Sequence, residues 1–127
     1  MKNYQSIVQI AKERKAVLGI SLEQIAAHTG LGYRTVTRFF AGSDVKVSTL
    51  AKITALLGLD LNGESLMDPQ VLRKRRAEKK ARHLVSLVQE TSALEMQGLS
   101  DPSLELLMEE AERALLHGSY RRQLWAV

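Results

Sequence analysis

Arg34 and Arg38 lie four residues apart in the run YRTVTRFFA, residues 33–41. On an α-helix that spacing puts both on one face. A guanidinium fork there can donate two bonds to O6 and N7 of a guanine, and each good pair supplies about 1 to 3 kcal/mol of discrimination between bases. Tyr33 and Thr37 accompany them, with groups suited to a thymine methyl or to a phosphate oxygen. In the same run Val36, Phe39 and Phe40 repeat at i, i+3 and i+4. That apolar stripe must face a core, and so turns Tyr33, Arg34, Thr37 and Arg38 outward.

Other chemistries find less material. His28, His83 and His117 are too far apart in sequence to form a local ligand pair, and the chain has no Cys to supply a thiolate or a disulfide. There is no Gly-rich phosphate loop and no nucleophile elbow. Glu109 and Glu110 are adjacent, so on a helix they point about 100° apart, as surface carboxylates do. The expectation is a protein that is not an enzyme and carries neither a metal nor another cofactor. The absence of Cys points to the cytoplasm. Lys2, Lys12, Glu13, Arg14 and Lys15 interrupt the apolar positions that a signal peptide would need. No stretch approaches the roughly eighteen apolar residues of a membrane span.

The elements that must position the arginines are helical, because no segment shows the sustained period-2 alternation of strands. Ile7, Ile10, Ala11 and Leu18 form the apolar stripe of a first helix ending at Gly19. Ser21 and Gln24 make a capping box for a second, with Leu22, Ile25 and Ala26 on its buried side. Gly30 suits the left-handed exit from that helix. A third helix covers residues 33–41, and a fourth runs from about Ser48 to Leu57, burying Leu50, Ile53, Leu56 and Leu57. A polar break at residues 62–65 precedes Asp68-Pro69, which reads as N-cap and first helical residue of a new helix. That helix extends from Gln70 to about Ser92 with Ala77, Ala81, Leu84, Val85 and Val88 as its stripe. Gly98 interrupts the chain, Asp101-Pro102 repeats the start signal, and a last helix ends at Gly118. The predicted fold is all-α, with a helix-turn-helix domain over residues 1–66 and a helical extension over 67–127.

The stretch SLEQIAAHTGLGYRTVTRFFAGSDVKVSTLAKITALLGL resembles the Xre or lambda-repressor-like helix-turn-helix regulators, and the resemblance covers about residues 6–61. It implies sequence-specific binding of double-stranded DNA, with Tyr33, Arg34 and Arg38 contacting bases. It also places Thr35 where such proteins touch backbone or base, and Ser43 and Lys46 in a loop that meets phosphate. Two departures stand out: Gly32 replaces the usual Ser, Thr or Asn cap, and Phe40-Ala41 replaces a typically polar pair. The missing cap weakens the start of the third helix by about a few tenths of a kcal/mol.

Charge divides the chain. Residues 1–68 hold 8 Lys and Arg against 6 Asp and Glu, residues 69–92 hold 7 against 2, and residues 93–127 hold 3 against 6. The basic run of Arg73, Lys74, Arg75, Arg76, Lys79, Lys80 and Arg82 suits either phosphate contact or a solvated face. A helix spreads consecutive residues around its circumference, so these cations cannot all share one surface. Leu104, Leu107, Met108, Ala111 and Leu115 form a broad apolar face on the last helix, and Trp125 follows in a basic, aromatic tail. That face can be buried on the preceding helix, in a homodimer, or against a second protein.

The layout resembles the antitoxin of a toxin-antitoxin pair: an operator-binding first half that represses its own operon, and a second half that masks a cognate toxin through Leu104, Leu107, Met108, Leu115 and Trp125. Two alternatives remain open. One is a phage-type or host repressor whose extension only dimerises it; the other is a protein or RNA adaptor that does not read DNA. A homodimer on an inverted repeat is expected in the first two, because one helix reads only a few base pairs.

Overall fold

Asn3 starts the first helix by accepting the Ser6 N–H on its Oδ1 at 2.8 Å, and Gly19 ends it in the left-handed conformation. The computed structural model describes residues 3–94 and 101–127. Among these lie α1 (Tyr4–Leu18), α2 (Leu22–Thr29), α3 (Tyr33–Phe40), α4 (Val47–Leu56), α5 (Pro69–Leu94) and α6 (Asp101–His117), followed by a 3-10 turn at Arg121–Gln123. No strand occurs among the described residues beyond a single antiparallel bridge between Leu59 and Ser65. The all-α class with an N-terminal helix-turn-helix and a helical C-terminal part is therefore what the chain forms. Gly98 and the Val88 side chain lie outside the described residues.

The chain divides into two compact units, Met1–Leu72 and Arg73–Ala126. In the first, α2 packs on α3 and α4, and α1 packs on α3. Ala11, Leu18, Ile20, Ile25, Val36, Phe39, Ile53, Leu57 and Leu59 fill the core. Phe39 is fully buried and meets Tyr4 and Phe40 edge-on, at ring separations of 6.3 and 4.9 Å. Edge-on rings are favoured because the positive rim of one faces the negative face of the other.

The core differs in detail from the periodic reading. On α1 it is Val8 that is buried, while Ile7 and Ile10 are half-buried, so the stripe is Val8, Ala11 and Leu18. α4 begins one residue early, at Val47, and buries Thr49 and Thr54, whereas Leu50 and Leu56 are half-buried. Thr54 tolerates burial because its hydroxyl donates to Leu50 O at 2.9 Å, leaving no polar group without a partner.

Arg14 secures the segment between α4 and α5. Its guanidinium donates from Nη1 to Leu57 O at 3.2 Å and Met67 O at 2.8 Å, and from Nη2 to Ser65 Oγ at 2.7 Å. Asp60 Oδ1 accepts the N–H groups of Asn62 and Glu64, which closes the turn inside this segment. α5 then opens as the Asp68-Pro69 pair predicts: Asp68 Oδ1 accepts from Gln70 N at 2.9 Å.

In the second unit Ala77, Ala81 and Val85 of α5 are buried, with Leu115 of α6 and Leu124 and Trp125 of the C-terminal segment. Trp125 is 5% exposed and the Arg76 guanidinium lies 6.0 Å from its ring centroid, so the segment is packed rather than a loose tail. None of the described helices is long and apolar enough to cross a membrane.

Candidate nucleic-acid interface

The geometry that presents α3 is set by the turn before it. Ser21 and Gln24 form the reciprocal capping box, with Ser21 N donating to Gln24 Oε1 at 3.0 Å and Gln24 N to Ser21 Oγ at 3.1 Å. At the other end of α2, Gly30 takes φ 74°, a conformation any Cβ would penalise, and returns its N–H to Ala26 O at 2.9 Å. Thr29 Oγ1 donates to Ile25 O at 2.7 Å and accepts from Leu31 N at 3.3 Å. The turn is thereby pinned from both sides.

α3 itself shows the division the sequence implies. Val36 and Phe39 are fully buried and Phe40 nearly so. Tyr33, Arg34, Thr37 and Arg38 are exposed, and Thr35 is half-buried at the edge of the same helix. Thr37 Oγ1 donates to Tyr33 O at 2.9 Å. Its proton is therefore committed to the helix, and what it offers outward is a methyl group and an acceptor. No side chain caps α3 at Gly32.

Ser43 and Lys46 occupy the loop after α3, both exposed. Ser43 N–H donates to Arg38 O at 3.0 Å, which fixes the loop to the last turn of the recognition helix. Two residues not singled out by the sequence complete this arrangement. Tyr4 donates its hydroxyl to Ser43 O at 2.6 Å, and Gln5 donates from Nε2 to Gly42 O at 3.2 Å. Burial, aided by the negative charge of Asp44, raises the Tyr4 phenol above its usual pKa, which keeps it protonated as a donor. Periodicity could not have found these anchors, because they join residues 39 and 37 positions apart. Tyr4→Phe keeps the ring against Phe39 and removes only the bond. It is expected to cost about 1 kcal/mol of stability, read as a lower denaturant midpoint, and to weaken DNA binding through a loosened Ser43–Lys46 loop.

The apolar residues of the second unit are arranged differently. Leu104, Leu107 and Met108 are half-buried, while Leu115 is 2% exposed and Trp125 is also buried. A cavity of about 420 Å³ is lined by Leu84, Leu107, Ala111, Leu115 and Tyr120, with Glu110 and Gln123 among its polar neighbours. Leu104 and Met108 line a separate, open hollow with Glu105 and Glu109. Of the five residues that the sequence offers to a partner, Leu104, Leu107 and Met108 remain partly accessible, while Leu115 and Trp125 are buried inside the unit.

A short helix held at a fixed angle by a glycine turn, with a Tyr, two Arg and a Thr on its free face, is the apparatus of a protein that reads duplex DNA. Residues 10–63 match the helix-turn-helix family model, and this N-terminal domain is a helix-turn-helix domain of the Xre or lambda-repressor-like kind. The chain is a DNA-binding transcription regulator. No curated protein and no solved structure matches the chain.

Proposed function

We propose that the protein is a non-enzymatic repressor that binds its own operator as a homodimer on an inverted repeat and neutralises a cognate toxin through its C-terminal unit. The observation that carries the DNA half is the outward face of α3, with Tyr33, Arg34 and Arg38 exposed above a buried Val36 and Phe39. Arg34 and Arg38 donate to guanine edges, Tyr33, Thr35 and Thr37 make base or backbone contacts, and Ser43 and Lys46 hold phosphate. A dimer doubles the bases read, and half-sites then lie about one helical turn, or a multiple of it, apart. Repression follows from occupying promoter DNA, and the protein acts in the cytoplasm, where that DNA is.

The toxin half is supported by the accessible apolar group Leu104, Leu107 and Met108, flanked by Glu105, Glu109 and Glu110. A Met among leucines adapts to a partner's surface, and the carboxylates around it suit a basic partner. The same face favours one other reading, a stand-alone repressor whose extension only dimerises it. Partners co-purified with the natively expressed protein decide between them. The doubly substituted Leu107→Asp, Met108→Asp chain is expected to lose a co-purified toxin while still binding DNA. If these changes instead convert a dimer to a monomer and no second protein is recovered, the stand-alone repressor is correct. Absence of specific binding to its own promoter would leave the adaptor reading.

A further inference from the structure

The cations between residues 73 and 82 fall into two sets. Arg73, Arg76 and Lys80 are used inside their own unit. Arg73 Nη2 donates to Leu116 O at 3.1 Å; Arg76 donates from Nε to Leu124 O at 2.8 Å and from Nη2 to Ala126 O at 2.7 Å; Lys80 Nζ donates to Ala126 O. These three satisfy carbonyls at the end of α6 and in the C-terminal segment. Burial lowers the pKa of Arg76 and of Lys80, the latter with a contribution from Arg76.

Lys74, Arg75, Lys79 and Arg82 form the second set. All are exposed, and among the described residues none has a hydrogen bond or an ion pair. At about 100° per residue, Arg75, Lys79 and Arg82 fall within about 60° of arc, and Lys74 lies about 80° further round the helix. Glu78 lies on the same strip as its one carboxylate. From Arg75 to Arg82 the strip is about 10 Å long at 1.5 Å per residue, which spans about three phosphates at about 3.4 Å of axial rise per strand. The rest of the unit does not share this character, since α6 presents Glu105, Glu109, Glu110 and Glu112.

We infer that this strip of α5 is a second, sequence-independent contact with DNA, gripping backbone phosphates while α3 reads bases. The inference rests on the reading of the chain as a duplex-DNA binder. One observation favours DNA over an anionic membrane or an acidic protein. The strip is covalently tethered to a domain that holds duplex DNA, which raises the local concentration of phosphate far above that of any free polyanion.

The test compares the full chain with the variant carrying Lys74→Gln, Arg75→Gln, Lys79→Gln and Arg82→Gln. Each is titrated against a duplex selected for tight binding and against a scrambled duplex, over a range of salt. The expected result is a salt slope lower by about two to three units, at about 0.9 per phosphate released, with equal losses on both duplexes. Glu78→Gln is expected to raise affinity for both duplexes about twofold, a gain that misfolding does not produce. An unchanged slope in the fourfold variant, or a loss confined to the selected duplex, overturns the inference. So does wild-type binding to anionic vesicles or an acidic peptide that the variant loses while its DNA slope stays the same. Arg34→Ala with Arg38→Ala keeps the two claims apart: unaltered specificity in that variant overturns the recognition helix, whatever the strip does.

Discussion

Arg34→Ala and Arg38→Ala are each expected to lower affinity for the operator by about 1 to 3 kcal/mol, which is roughly five- to 150-fold. Each loss is concentrated at one position of the half-site, because a guanidinium that donates to O6 and N7 of one guanine has no equivalent bond to make with another base. Both side chains are exposed and belong to α3 without supporting it. The thermal and denaturant transitions of the variants should therefore match those of the wild type. Lys46→Ala gives the contrasting pattern: affinity falls alike on all duplexes and the salt slope drops by about one unit. Titration of matched duplexes differing at single base pairs separates the two patterns. Unchanged discrimination in both arginine variants means that α3 has been assigned wrongly.

The largest effect on stability is expected at Phe39. Its ring is fully buried and stands edge-on to both Tyr4 and Phe40. Phe39→Ala removes a large apolar side chain and leaves a cavity, at a cost of about 3 to 5 kcal/mol. A domain of this size has about 5 kcal/mol or a little more to lose. The variant should accordingly be largely unfolded in its N-terminal unit under mild denaturant, with DNA binding lost in proportion. Chemical denaturation followed by circular dichroism reads this directly. A midpoint displaced by less than about 1 kcal/mol equivalent would show that the recognition helix is not anchored through Phe39.

What could be read from the sequence was local. The capping box of Ser21 and Gln24, the left-handed Gly30 and the Asp68 cap each depend on residues within four positions of one another, and all three form. The outward face of α3 was legible too, because Val36, Phe39 and Phe40 leave only one side free. The rest depends on distant partners or on small shifts of phase, which the sequence does not display. Val8 joins Ala11 and Leu18 in the core, while Ile7 and Ile10 stay half-buried. Thr49 and Thr54 are buried although polar, and Thr54 hides its hydroxyl by bonding back along its own helix. Helix geometry shows that the basic run cannot share one surface, but not which cations go where. Their sorting is decided by the carbonyls of Leu116, Leu124 and Ala126, more than forty residues on, which no local pattern reveals.

Reading of base sequence by α3 is the proposal on which the others depend. Its most direct test is selection of duplexes from a random pool by the purified full chain, followed by titration of the selected and scrambled duplexes at one fixed physiological salt concentration. The expected result is an inverted repeat, with guanines in each half-site, bound at least about a thousandfold more tightly than the scrambled duplex. This ratio is expected to collapse when Arg34 and Arg38 are both replaced by Ala. Equal affinity for selected and scrambled duplexes, or a ratio untouched by that double substitution, would contradict it.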